Sequence, residues 1–215
     1  MKKIISIIVL FFLLVGISMA QESGKPGYKP GSYYTFTWDV GFPVGDMNKW
    51  AGQPSPAGWD FGGRYLLQKG LTVGFNIGWQ RIGKIYDDET FTIPEKGLAI
   101  NAENYRLTWM VPFQAVVAYH LKPASILSPY IGLGIGGDYA EHHLLIQEYD
   151  IYETRWDFAL TPEIGVLAKF GAFSNWGAIV AVNYKWTTNY VDIYDTKFNN
   201  LAWFNLRVGL AVTLR

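Results

Sequence analysis

From residue 33 onward the chain alternates apolar with small or polar residues, position by position, in eight separate runs. The first sets Tyr34, Phe36, Trp38, Val40 and Phe42 against Tyr33, Thr35, Thr37, Asp39 and Gly41. The third sets Leu71, Val73, Phe75, Ile77 and Trp79 against Thr72, Gly74, Asn76, Gly78 and Gln80. The last sets Phe204, Leu206, Val208, Leu210 and Val212 against Asn205, Arg207, Gly209, Ala211 and Thr213. A period of two places the two sets on opposite faces of a β-strand. The fifth run is extreme, with Ile131, Leu133 and Ile135 interleaved by Gly132, Gly134 and Gly136. Glycine weakens a strand interior, so a row of it marks a face crowded by something bulky.

The connections alternate in length. Stretches 45–57, 84–103, 140–154 and 191–200 read as polar loops, whereas 69–70, 122–123 and 171–175 read as short turns. Eight strands of ten or so residues with that rhythm predict an all-β fold, an eight-stranded antiparallel up-and-down transmembrane β-barrel. Closure gives every strand edge a partner, which a sheet in lipid requires. Pro112 and Pro162 each remove a ladder donor, so a bulge or strand end is expected near each.

The apolar face is assigned to lipid for two reasons. The opposite face mixes Gly, Ala, Thr and Asn with isolated charges, as the packed interior of an eight-stranded barrel demands. The aromatics also sort by depth. Trp79, Tyr105, Trp109, Trp156 and Trp186 lie toward the long connections, and Tyr65, Tyr119 and Trp176 toward the short turns. Amphipathic rings collect in such pairs of belts at the two membrane interfaces.

Lys2 and Lys3, an apolar run over 4–15 and the small-residue ending Ser18-Met19-Ala20 read as a signal peptide spanning 1–20. Residues 21–32 (QESGKPGYKPGS) read as a flexible periplasmic tail, and 33–215 as the barrel. Losing Lys2 and Lys3 leaves 16 basic against 18 acidic residues, a net charge of −2. The absence of cysteine excludes disulfides, thiolate metal sites and a lipid-anchored N-terminal cysteine. No basic run invites nucleic acid. The expected surroundings are outer-membrane lipid and lipopolysaccharide, with the barrel a monomer.

Two segments carry a family resemblance: YRLTWMVPFQAVVAY at 105–119, with its Pro-aromatic step in mid-strand, and PYIGLGIGG at 129–137. With the whole-chain pattern, they resemble the small outer-membrane β-barrels of Gram-negative bacteria, the OmpW-like and PorT-like group. The resemblance implies the outer membrane as location. It also keeps open a place in a secretion assembly or, as in some eight-stranded barrels, modification of lipid A. Such barrels end in an aromatic residue, whereas this chain ends Thr213-Leu214-Arg215.

The inward charges are the candidate site residues: Asp39, Asp60, Arg64, Arg106, Asp157, Glu163, Lys185 and Arg207. Since an unpaired interior charge costs several kcal/mol, pairing is expected. The proposed groupings are Asp39 with Arg64 and Arg207, and Glu163 with Lys185. Arg106 and Glu163 are expected to lie against the glycine strand. No cofactor motif is present. Glu141, His142 and His143 are the one cluster with ligand or base chemistry, and no Ser-His-Asp pattern accompanies them. The reading is a non-enzymatic barrel, mostly filled, with a structural or interaction role and a periplasmic or extracellular protein as a further partner. A narrow channel for small solutes is the main alternative.

Overall fold

The structure, a computed structural model, describes residues 31–214 apart from 68–69, 94–97, 124, 148, 172–173 and 194–195. The signal peptide, nearly all of the tail, Lys69 and Arg215 fall outside the described residues.

Eight antiparallel strands close into one barrel. They are β1 (Ser32–Val44), β2 (Gly58–Leu66), β3 (Leu71–Ile93), β4 (Leu98–His120), β5 (Leu127–Ile146), β6 (Tyr149–Lys169), β7 (Trp176–Thr187) and, closing on β1, β10 (Ala202–Leu214). A helix α1 (Gly45–Ala51) follows β1, and a hairpin of β8 (Tyr190–Ile193) and β9 (Thr196–Asn199) precedes β10. Ser32, placed in the tail by the sequence, is the first residue of β1 and pairs with Leu214.

Alternation sorts the side chains as the pattern requires. Phe36, Trp38, Val117, Ile131, Ile135, Val208 and Leu210 stand exposed on the outside, while Thr37, Asp39, Gln114, Asn183 and Arg207 are buried inside. A continuous apolar band on the outside of a closed, polar-lined barrel is the arrangement that lipid solvates.

Two expectations are corrected. Stretches 84–103 and 140–154 are not loops: β3 and β4 continue to Ile93 and from Leu98, and β5 and β6 turn over Gln147, whose φ is 52°. The strands of β3 and β4 are 23 residues each, about twice the 9–11 that span a bilayer. Their excess length projects from the long-connection end.

The prolines cause neither a bulge nor a strand end. Around Pro112 the β3–β4 ladder skips from Ile77↔Phe113 to Gln80↔Met110, and around Pro162 the β6–β7 ladder skips from Leu160↔Trp186 to Glu163↔Asn183, both without change of register. Each proline faces its gap with its missing donor and leaves its other neighbour paired, at Pro112↔Asp138 and Leu133↔Pro162. The register shift lies elsewhere, between Tyr86 and Glu89. One extra residue there reverses the facing of the rest of the strand, turning Glu89 and Phe91 inward.

Candidate functional site

The interior is built in three layers. At the short-turn end, where Ser32 pairs with Leu214, Tyr33, Ala118, Tyr130, Leu167, Ile179, Ala181 and Ala211 pack together. His120 sits among them, its Nδ1 2.9 Å from Ser128 Oγ and its Nε2 2.9 Å from Tyr33 Oη, with Tyr130 stacked on its ring. A cavity of about 50 Å³ lies beneath, lined by residues that include Ser32, His120, Leu167 and Lys169.

The middle layer is organised by Arg207. Asp39 is its direct cross-strand partner on β1, Thr37↔Asp60 carries the acidic row onto β2, and Glu163 reaches in from β6. The guanidinium donates to Asp60 Oδ1 (2.5 Å), Asp39 Oδ1 (3.4 Å), Thr37 Oγ1 (3.2 Å) and Glu163 Oε2. Tyr130 donates to Glu163 Oε1 at 2.8 Å, and Thr37 to Asp39 Oδ1 at 2.7 Å. One buried cation thus holds three buried carboxylates, and its planar fork suits that task where an ammonium would not.

Of the two proposed groupings, the pair of Asp39 with Arg207 is present, but Arg64 stands apart from it and the second grouping does not form. Glu163 joins Arg207, not Lys185. Arg64 pairs in register with Tyr33, well below Asp39, and donates to Asn76 Oδ1 and the Phe75 carbonyl, both at 2.7 Å. Lys185 is buried and forms no ion pair within 4 Å among the described residues. Asp157 is half-buried on the inner face of β6, directly opposite Asp138. The glycine strand makes room for Gln114, whose Nε2 donates to Thr161 Oγ1 at 2.8 Å. A Cβ on Gly134 would lie 2.7 Å from Gln114 Oε1. Arg106, expected against those glycines, lies far above them, paired in register with Leu144.

The outer layer is apolar, and the sequence did not announce it. Helix α1 folds into the barrel mouth and buries Met47, Trp50 and Ala51 against Ile82, Phe91, Met110, Leu144, Val191, Leu201 and Trp203. Trp50 Nε1 donates to Thr108 Oγ1 at 2.8 Å, and Thr108 meets His142 Nδ1 at 2.8 Å. His142 Nε2 reaches Asn189 Oδ1 at 3.0 Å. Arg106 lies over the rings of Trp50 and Tyr86 and donates to Glu89 Oε2 at 2.5 Å. On the exposed side of α1, Asp46 binds Lys49 Nζ at 2.7 Å and accepts the Asn199 N–H at 3.3 Å, tying helix to hairpin. Those two contacts hold the Asp46 carboxyl below its ordinary pKa. Met47 and Trp50, three residues apart within a Gly/Pro/Asn-rich stretch, were the available signal for this plug.

Glu141, His142 and His143 divide as alternation demands. His142 points in; His143 points out, stacked between Trp109 and Tyr152, with Asp150 3.0 Å from its Nδ1. Among the described residues no group of three or more His, Asp or Glu side chains is arranged to hold a metal ion.

No protein-family model matches the chain, and no curated protein matches it in sequence. Among solved structures, it is similar to a major outer membrane protein from Thermus thermophilus over 86% of this chain and 99% of that one, with a TM-score of 0.55 at 10% identity. The chain has the fold of the small eight-stranded outer-membrane β-barrels. Neisserial surface protein A (NspA) is similar over 85% of this chain and 96% of its own, at 13% identity and a TM-score of 0.46. For the outer membrane protein OprG from Pseudomonas aeruginosa the figures are 88%, 98%, 9% and 0.45. The fold agrees with the family resemblance carried by segments 105–119 and 129–137.

Proposed function

We propose that this barrel resides in the bacterial outer membrane as a sealed, non-enzymatic structural or interaction protein, with its projecting strands as the contact surface. The observation that carries the reading is double occlusion. The Arg207 cluster fills the spanning part of the lumen, and α1 with its apolar surroundings fills the mouth. A solute path would have to cross both layers, breaking a buried four-charge network and undocking a buried tryptophan. The long β3–β4 and β5–β6 hairpins supply far more wall than crossing a bilayer needs. Extra length of that kind serves contacts outside the membrane.

Planar-bilayer recording tests this reading. Purified barrel inserted into a bilayer is expected to give no conductance steps. Reproducible steps from the wild-type protein would replace the sealed barrel by the narrow channel.

A further inference from the structure

Between the Arg207 cluster and the plug lies a layer of polar groups that neither explains. Asp138, on the inner face of β5, is fully buried, yet neither of its carboxylate oxygens has a hydrogen-bond partner. Directly across the β5–β6 ladder stands Asp157, whose Oδ2 is also buried and unpartnered. Gln80 Oε1 on β3 and Asn205 Oδ1 on β10 are further buried interior oxygens without a partner, as is Asn183 Oδ1 on β7, although Asn183 itself donates from Nδ2 to Glu163 Oε2 at 3.4 Å. Pro112, the other ladder neighbour of Asp138, has no N–H to offer.

The charge count agrees. Among the described residues, the interior between His120 and the helix holds five carboxylates: Asp39, Asp60, Asp138, Asp157 and Glu163. Against them stand three cations, Arg64, Lys185 and Arg207, while Arg155, two residues from Asp157 on the same face of β6, acts on it electrostatically but is bonded to Glu153. Arg207 is committed to Asp39, Asp60 and Glu163, and Arg64 lies toward the opposite end. Lys185 acts electrostatically on both Asp60 and Asp138 but bonds neither. Negative charge is therefore in excess where the oxygens lack partners. Uncompensated charge in a low-dielectric interior is the costliest feature a fold can carry.

We propose that Asp138 and Asp157 form a buried binding site for a hard divalent cation. A pair of carboxylates is an all-oxygen donor set, which selects a calcium-like or magnesium-like ion over a soft metal. Asp157, being half-buried, is the entry ligand, and Asp138, fully enclosed, is the inner one. Above Ala159 the β6–β7 ladder ends; Thr188 N–H still donates to the Phe158 carbonyl, and beyond it the edge of β6 meets the β8–β9 segment through contacts such as Arg155 over the Tyr190 ring.

The test uses the full-length barrel folded in a lipopolysaccharide-free detergent and stripped of metal by chelation. Calcium chloride is the probe, and the readouts are bound calcium per barrel and the temperature at which the folded gel band converts to the unfolded one. One calcium per barrel and a raised conversion temperature are expected for the wild type. D138N should bind at least tenfold more weakly and lose the calcium-dependent shift, while remaining folded because it removes a buried charge. D157N should weaken binding in the same direction. Glu141→Gln, outside the barrel, should leave binding unchanged. Absence of bound calcium in the wild type would overturn the proposal. So would a D138N barrel that keeps the shift, or a conversion temperature that follows pH alone whether or not calcium is present, since a proton shared by the two carboxylates would then suffice.

Discussion

The two halves of this barrel are inside-out versions of each other. Where lipid bathes the wall, the outside carries Ile131, Leu133 and Ile135 and the inside carries glycines, Gln114, Asp39 and Arg207. Beyond the outer aromatic belt the same β5 strand puts Glu141 and His143 outside and Ala140, Leu144 and Ile146 inside. No bulge separates the two segments of β5; the apolar set simply changes from odd to even positions near Tyr139. The solvent outside the wall decides which face must be apolar. In lipid the polar residues are driven into the lumen, where they must satisfy one another; in water the apolar residues take that place, as in any soluble core.

The sharpest way to separate the halves is to remove what holds each. Arg207→Met leaves three carboxylates facing one another without their common cation. Breaking a buried charge network of this kind costs about 3–5 kcal/mol. Urea unfolding of the reconstituted barrel should show that loss across the whole molecule. Leu144→Ala in the outer core should cost about 2–5 kcal/mol as a cavity. It should act locally, speeding amide exchange in α1 and the β8–β9 hairpin while the spanning strands stay protected. A global loss of protection would mean that the two halves are one cooperative unit.

Outward charges give a smaller and more discriminating contrast. Val208→Arg places a charge on the lipid face near mid-strand and should cost about 2–4 kcal/mol, read as reduced insertion and a lower unfolding midpoint. Thr154→Arg, on the outer face of β6 above the belt, should change stability by no more than about 0.5 kcal/mol. Equal effects at the two sites would remove the distinction between lipid-facing and water-facing wall. Gly134→Leu against Leu133→Ile repeats the contrast across the wall: the first crowds Gln114 and should lower folded yield, and the second should pass.

The change of parity also explains what the sequence could tell. In the spanning segments one face is apolar throughout, so the period of two is unbroken and all eight strands are legible from it. At Tyr139-Ala140-Glu141-His142-His143-Leu144 the apolar positions change sides, the alternation fails as a pattern, and a strand imitates a polar loop. The bulge after Tyr86 does the same to β3. The site residues were legible as inward, because inwardness follows from alternation. Of their partners only Asp39 with Arg207, on directly paired strands, was legible; the rest were not, because pairing depends on how far each strand is staggered around the closed wall. Arg64 and Asp39 share neighbouring strands and miss each other; Arg207 and Glu163 do not, and meet.

The central claim is that the wall of β5 changes its apolar side at the outer belt, and nitroxide scanning tests it directly. The chain has no cysteine, so single cysteines can be placed and labelled one at a time along β5. Labels at 131, 133 and 135 should be relaxed by oxygen dissolved in lipid, labels at 141 and 143 by a water-soluble nickel chelate, and labels at 140 and 144 by neither. Lipid contact continuing through 141 and 143, or water contact at 140 and 144, would contradict the account.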